Sequence, residues 1–257
     1  MEDKESGRIR RMFGAIAPRY DRANRLLSLS VDRYWRRLTR RELEGRLPPD
    51  PRILDLCTGT GDLALELSSL GSVVACDFSH PMLVLGMKKA SRSAAGRRVS
   101  FTEGDALSLP FPDRSFDAVS IAFGLRNLES YRQGLAEMHR VLRPRGVLAI
   151  LEFTLPTLPL LRSLYLFYFV RILPRLGGWI SGHGQAYDYL SRSVRQFLEP
   201  EDLDRLLKSS GFHKIRHRTL SAGIACLHLG RKPDLGATRE RSARHSSISG
   251  KRSRQPS

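Results

Sequence analysis

No run of about 18 uncharged apolar residues occurs anywhere in the 257 residues, so no segment of bilayer-spanning length is expected. The N-terminus is charged and lacks an apolar signal core, which predicts a protein that is neither secreted nor membrane-spanning. Cysteine is scarce: Cys57, Cys76 and Cys226 are odd in number, far apart and without paired metal spacing. That excludes a disulfide framework, and the three read as reduced core residues of a cytosolic protein. His80, His139, His183, His213, His217 and His228 show no ligand spacing either. No metal is expected. Acidic residues are also few, 26 against 43 Lys and Arg, giving a formal charge of +17. Such an excess attracts anions, either nucleic acid or an acidic membrane surface, without choosing between them.

What is present, 41% hydrophobic content over this length, suffices for one α/β domain with a substantial core. Residues 1–233 are expected to form that domain. Within it, residues 1–50 read as two or three short helices covering the sheet and 155–198 as a helical lid insertion. The tail 234–257 is basic, rich in Ser and poor in large apolar residues, and is expected to be disordered. A solvated tail without function is the simplest reading of it.

The chain is organised around Arg52-Ile53-Leu54-Asp55-Leu56-Cys57-Thr58-Gly59-Thr60-Gly61-Asp62. An apolar run of strand length enters a glycine turn, and Asp62 to Leu70 then reads as a helix closed by Gly71. Gly59 and Gly61 allow unusual dihedrals and the close approach of a ligand to the main chain. The next strand, Ser72 to Asp77, ends in an acid within reach of two ribose hydroxyls. Gly59-x-Gly61-x-x-Ala64 also satisfies a loose dinucleotide pattern. A dinucleotide, however, sets an anionic pyrophosphate on the helix N-terminus, where Asp55 and Asp62 would oppose it. S-adenosylmethionine carries a sulfonium and an ammonium there instead, so the electrostatics favour a methyl donor.

Downstream, Ser79 is placed to cap a helix running to Ala90, with Pro81 in its first turn. Val99 to Phe101 reads as a third strand and Asp105, just past it, as an acceptor for an adenine amino group. Phe116 to Phe123 is a fourth strand, Ser130 to Leu142 a helix and Val147 to Phe153 a fifth strand. Pro200 to Ser210 reads as the last helix, stopped by Gly211. Alternating strands and helices imply a parallel sheet with ligands at the carboxyl ends of its strands.

These residues resemble the C-methyltransferases of menaquinone and ubiquinone biosynthesis. Tyr20-Asp21-Arg22-Ala23-Asn24 through Ser28 and Trp35 is similar to the family's N-terminal signature, with Ala23 and Asp32 where Met and His are usual. Phe123-Gly124-Leu125-Arg126-Asn127 matches its most distinctive pentapeptide in full. Arg140-Val141-Leu142-Arg143-Pro144-Arg145-Gly146 through Glu152 resembles a second signature, with Arg145 in place of a Gly. The likeness runs from about Met12 to Pro233. It implies a class I S-adenosylmethionine-dependent methyltransferase: a Rossmann-like, seven-stranded, mostly parallel sheet with helices on both faces. Its last two strands would be a hairpin of about Phe212 to Thr219 and Ile224 to Leu229. It further implies Thr60, Asp77, Asp105 and Ala106 as cofactor contacts beside Gly59 and Gly61. Ala122 stands where some members have a cofactor-binding serine, a contact a methyl side chain cannot make.

The implied reaction is C-methylation of a prenylated quinol. A ring carbon becomes nucleophilic once the neighbouring hydroxyl loses its proton, so a base or a cation stabilising the phenolate is expected at the crevice. Arg126 is the expected cation and Asn127 the group that orients the ring. The plainer alternative is that Arg126 pairs with a carboxylate and Asn127 caps a helix. Leu158 to Val170, with Arg171, Arg175 and Arg195 nearby, reads as a membrane-facing entrance or else as a buried helix. Tyr187, Tyr189, Ser193 and Phe197 resemble a lid motif. The expected location is the cytoplasm, peripheral to the inner face of an anionic membrane, with no nucleic-acid partner and with self-association left open. Rival readings are a methyltransferase for RNA or another small molecule, a nicotinamide oxidoreductase, and a lipid-binding protein without turnover.

Overall fold

The structure, a computed structural model, describes residues 7, 12, 14, 30–173, 175 and 184–234, without the side chains of 184–187. Seven strands form one sheet: β1 Arg52–Leu56, β2 Ser72–Asp77, β3 Val99–Glu103, β4 Phe116–Ala122, β5 Leu142–Phe153, β6 His213–Leu220 and β7 Ala225–Arg231. Their order is β3-β2-β1-β4-β5-β7-β6. The first five are mutually parallel, while β7 runs antiparallel to both β5 and β6. The helices are α1 Val31–Glu44, α2 Asp62–Leu67, α3 His80–Ala90, α4 Tyr131–Val141, α5 Pro159–Phe167, α6 Gly184–Gln196 and α7 Pro200–Ser209.

Successive strand side chains point to opposite faces, and both faces are covered. Ile53, Val73, Ala75, Ala149 and Leu151 pack beneath α1 and α2, through Trp35, Leu43, Leu63 and Leu67. Leu54, Leu56, Val119, Leu148 and Ile150 point the other way, onto Leu135 and Met138 of α4 and Leu203 and Leu207 of α7. That two-sided burial explains why β1 and β5 read as nearly continuous apolar runs rather than alternating ones. Each fully buried Leu contributes roughly 1.5–3 kcal/mol of transfer free energy. A third cluster joins Met82 of α3 to Tyr165, Phe169, Leu173 and Val194.

The sequence boundaries need local correction. The first crossover helix ends at Leu67, not Leu70, because Leu70 N–H turns back to the Leu67 carbonyl ahead of Gly71. Ser79 stands at the α3 N-cap but its hydroxyl makes no cap bond; its amide is held by Asp77 Oδ1 at 2.9 Å instead. Ser130, by contrast, does cap α4, accepting from Gln133 N–H at 3.2 Å. The hairpin lies one residue later than expected at each start. Arg145 takes φ +65°, a left-handed conformation in which glycine is the unstrained choice, which accounts for the glycine expected there. Of the N-terminal cover, α1 is seen. The motif Tyr20 to Ser28 and the tail 235–257 lie outside the described residues. Among the described residues no helix is long and apolar enough to cross a membrane.

Candidate active site

The carboxyl ends of β1, β2, β3 and β4 open on a crevice of about 440 Å³. The turn after β1 forms one wall. Gly59 takes φ +57° and Gly61 φ +79°, so both positions need a residue without Cβ strain. A side chain at Gly59 would meet nothing within 4 Å, which is the open space a ligand lying against the backbone requires. Asp77, at the end of β2, fixes this turn: its Oδ2 accepts from Gly59 N–H at 2.8 Å and its Oδ1 from Ser79 N–H at 2.9 Å. The carboxylate is thereby oriented at the crevice wall.

Of the residues expected to hold a cofactor, Gly59, Asp77, Asp105 and Ala106 line the crevice. Asp105 is braced by Leu107 N–H at 2.9 Å. Thr60 and Gly61 are not among the described lining residues. Thr60 is buried, and Lys89 Nζ donates to its hydroxyl at 2.9 Å. Asp62, expected to face the ligand's cations, is paired with Lys89 at 2.6 Å and with Arg36 at 3.6 Å. Asp55 is buried under the turn, accepting from Thr58 Oγ1 at 2.6 Å and Ser120 Oγ at 2.7 Å. Burial raises its pKa to about 6 despite those hydrogen bonds. Both acids therefore shape the turn rather than touch a ligand.

Sequence reasoning missed Cys57, Phe78, Glu103, Leu107 and Glu129 as lining residues. Cys57, Phe78 and Glu103 stand at strand carboxyl ends, which was the available signal, while Leu107 and Glu129 lie further along the loops that follow β3 and β4. Cys57 and Phe123, at the ends of the adjacent strands β1 and β4, hold φ +50° and +59°, strain of a kind that concentrates at functional sites. Burial, then the neighbouring Asp77, push the Cys57 thiol well above its usual range, so it stays protonated. The charges are lopsided. Asp77, Glu103, Asp105 and Glu129 line the crevice, and no Lys, Arg or His is among its described lining residues, in a chain of net charge +17. Such a wall suits a cationic ligand and opposes a pyrophosphate.

The pentapeptide closes the far side. Gly124 is required by close approach: a Cβ there would stand 2.4 Å from Cys57 Cβ. Asn127 lines the crevice, and its Oδ1 accepts from Tyr189 O–H of α6 at 3.0 Å. Arg126 turns into the protein. Its Nη1 donates to Glu152 Oε2 at 2.7 Å and to the Phe123 carbonyl at 2.6 Å, and its guanidinium lies over the Phe153 ring. The pair is buried, with side chains 6% and 0% exposed. The carboxylate alternative thus describes Arg126, whereas helix capping falls to Ser130 rather than Asn127.

The residues present fit S-adenosylmethionine: an oriented carboxylate for the ribose diol, apolar Phe78, Met82 and Ala106 for the adenine, and acids for the cationic end. Comparison with known proteins points the same way. Residues 1–232 match the ubiE/COQ5 methyltransferase family. A demethylmenaquinone methyltransferase of Thermus thermophilus is 49% identical over 226 residues, covering 86% of this chain and 100% of that one. A ubiquinone/menaquinone biosynthesis C-methyltransferase UbiE of Citrifermentans bemidjiense is 45% identical over 229 residues, covering 88% and 96%. Among solved structures, an S-adenosylmethionine-dependent methyltransferase from Thermotoga maritima has a TM-score of 0.60 at 18% identity, covering 86% of this chain and 98% of that one. At that identity the likeness speaks for the fold alone.

Proposed function

The chain belongs to the ubiE/COQ5 methyltransferase family, and on that premise we propose that it C-methylates a prenylated quinol, demethylmenaquinol or its benzoquinol counterpart. S-adenosylmethionine is its methyl donor and the fold is that of a class I methyltransferase. One observation carries the reading: the crevice at the strand ends is walled by four carboxylates in a strongly basic chain. That arrangement disfavours both a nicotinamide dinucleotide and an RNA backbone.

When bound, the donor supplies a methyl group on a sulfonium, which a nucleophile displaces in line. Asp77 would hold the ribose, and Asp105 with Ala106 the adenine end. Holding nucleophile and methyl in line supplies much of the rate. Asn127 offers its amide to the quinol oxygens and is itself oriented by Tyr189. Arg126 acts as a positioning residue: by binding the Phe123 carbonyl and Glu152 together it fixes the loop that carries Asn127.

The quinol is a lipid, and α5 offers a surface for reaching it. Leu160, Leu164 and Phe167 are 85%, 65% and 58% exposed along one helix face, with exposed Arg162, Arg171 and Arg175 beside them. An apolar stripe flanked by cations supports peripheral contact with an anionic bilayer. The test of function is methyl transfer from labelled S-adenosylmethionine to reduced demethylmenaquinone and to the benzoquinol, in separate detergent assays. Labelled product from either is expected, and the ratio of rates assigns the pathway. Donor binding without labelling of either quinol would overturn the substrate. In flotation, Leu160→Glu/Leu164→Glu is expected to abolish retention on anionic vesicles; unchanged retention would remove the membrane role.

A further inference from the structure

At the sheet edge remote from the crevice mouth, α7 packs on the β6–β7 hairpin and brings together three residues that the methyl-transfer reading does not use. His217 of β6 and His228 of β7 are directly paired across the antiparallel ladder, with ring centroids 5.4 Å apart. Asp204 of α7 reaches both. Its Oδ2 lies 2.7 Å from His217 Nδ1, and its Oδ1 lies 3.7 Å from His228 Nε2. One ligand atom from each of the three falls within 4.8 Å of the others.

The second distance is the informative one. Asp204 Oδ1 is buried and has no hydrogen-bond partner among the described residues, and 3.7 Å to an imidazole nitrogen is too long for a hydrogen bond. It is a ligand-to-ligand spacing: donors about 2.0–2.1 Å from one ion stand roughly 3.3 Å apart in a tetrahedron. The 2.7 Å His217–Asp204 contact needs to open by a few tenths of an ångström to share an ion. His228 is buried, which fixes its ring against the helix. Its Nε2 lies 3.2 Å from the Pro200 carbonyl, a contact that an ion at Nε2 would replace. His217 and Asp204 are 25% and 28% exposed, which gives an ion a path from solvent.

We propose that Asp204, His217 and His228 form a site for a first-row divalent cation, zinc above all, which clips α7 to the edge hairpin. Two imidazoles and one carboxylate are a nitrogen–oxygen donor set of the kind such ions select. A fourth position is left for water. Because the ion would bind only where helix and hairpin meet, it would stabilise the folded chain by mass action. The site is independent of the quinol assignment.

The test is to strip the full-length protein with a chelator, then measure zinc by equilibrium dialysis with metal analysis and record thermal unfolding with and without zinc. About one equivalent of zinc and a raised Tm are expected, with cobalt(II) giving visible ligand-field bands at the same stoichiometry. His217→Gln and Asp204→Asn, at half-exposed positions that tolerate polar replacement, are each expected to weaken binding by roughly tenfold or more and to abolish the bands. No bound zinc in the wild type, or binding and bands unchanged in both variants, would overturn the proposal.

Discussion

Replacing Arg126 by Met should destabilise the protein more than replacing Arg126 and Glu152 together. In the wild type Glu152 is fully buried and accepts from the Arg126 guanidinium at 2.7 Å and from the amides of Arg126 and Phe153, each at 3.2 Å. Arg126→Met leaves those two amide bonds but strands a buried carboxylate without its counter-charge. Breaking a buried pair from one side costs roughly 3–5 kcal/mol, and the surviving amide bonds put this case near the lower end. Adding Glu152→Gln removes the stranded charge while a side-chain oxygen still serves one amide, so the double variant should lose only about 1–2 kcal/mol. Urea denaturation of the four proteins at pH 7 measures the cycle. Glu152→Gln alone also strands a buried charge and should cost a similar ~3 kcal/mol, so a coupling of roughly 4 kcal/mol is expected; strict additivity, or a loss below about 1 kcal/mol in Arg126→Met, would refute the pair as the organiser of this loop. Arg126→Lys should lower turnover sharply, since one ammonium cannot reproduce the planar fork that joins Phe123 and Glu152. S-adenosylmethionine affinity should stay within a factor of about three, or ~0.6 kcal/mol, and a larger loss would place Arg126 in the cofactor site instead.

Asp55 gives a pH signature. Its folded-state pKa is raised from 3.8 to about 6, so the stability it contributes is complete below about pH 4 and is lost as pH rises through 6. The stability of wild type relative to Asp55→Asn should therefore fall by roughly 3 kcal/mol between about pH 3 and pH 7 in urea titrations, most of it between about 4 and 6; a flat difference would show that the carboxyl is not desolvated. Gly124→Ala forces a Cβ to within 2.4 Å of Cys57 and should cost about 1–3 kcal/mol, with partial recovery in Gly124→Ala/Cys57→Gly; no recovery would mean the clash lies elsewhere. Tyr189→Phe removes the hydrogen bond to Asn127, so KM for the quinol should rise about fivefold, ~1 kcal/mol, with donor affinity unchanged. A change in donor affinity alone would contradict the assignment of Asn127 to the acceptor.

Sequence by itself determined the features that depend on neighbours in the chain. The β1–turn–α2 unit, the acid ending β2 and the acid past β3 were all legible, because turn chemistry and apolar runs act over a few residues, whereas the cap expected at Ser79 is not made and Ser130 caps α4 instead. The pentapeptide follows β4 in the chain, and Phe123, Gly124 and Asn127 line the crevice there. Tertiary structure alone decided which charges meet. Arg126 and Glu152 are 26 residues apart and pair because β4 and β5 lie side by side. Lys89 reaches back 27 residues to Asp62, which takes that acid away from the ligand. His217 and His228 have no ligand spacing in sequence, yet strand register sets them opposite each other and α7 adds Asp204. Likewise the apolar stretch of α5 reads equally well as a buried helix or an exposed one. Its hydrophobic content is a property of the chain, whereas its exposure depends on what the rest of the fold leaves uncovered.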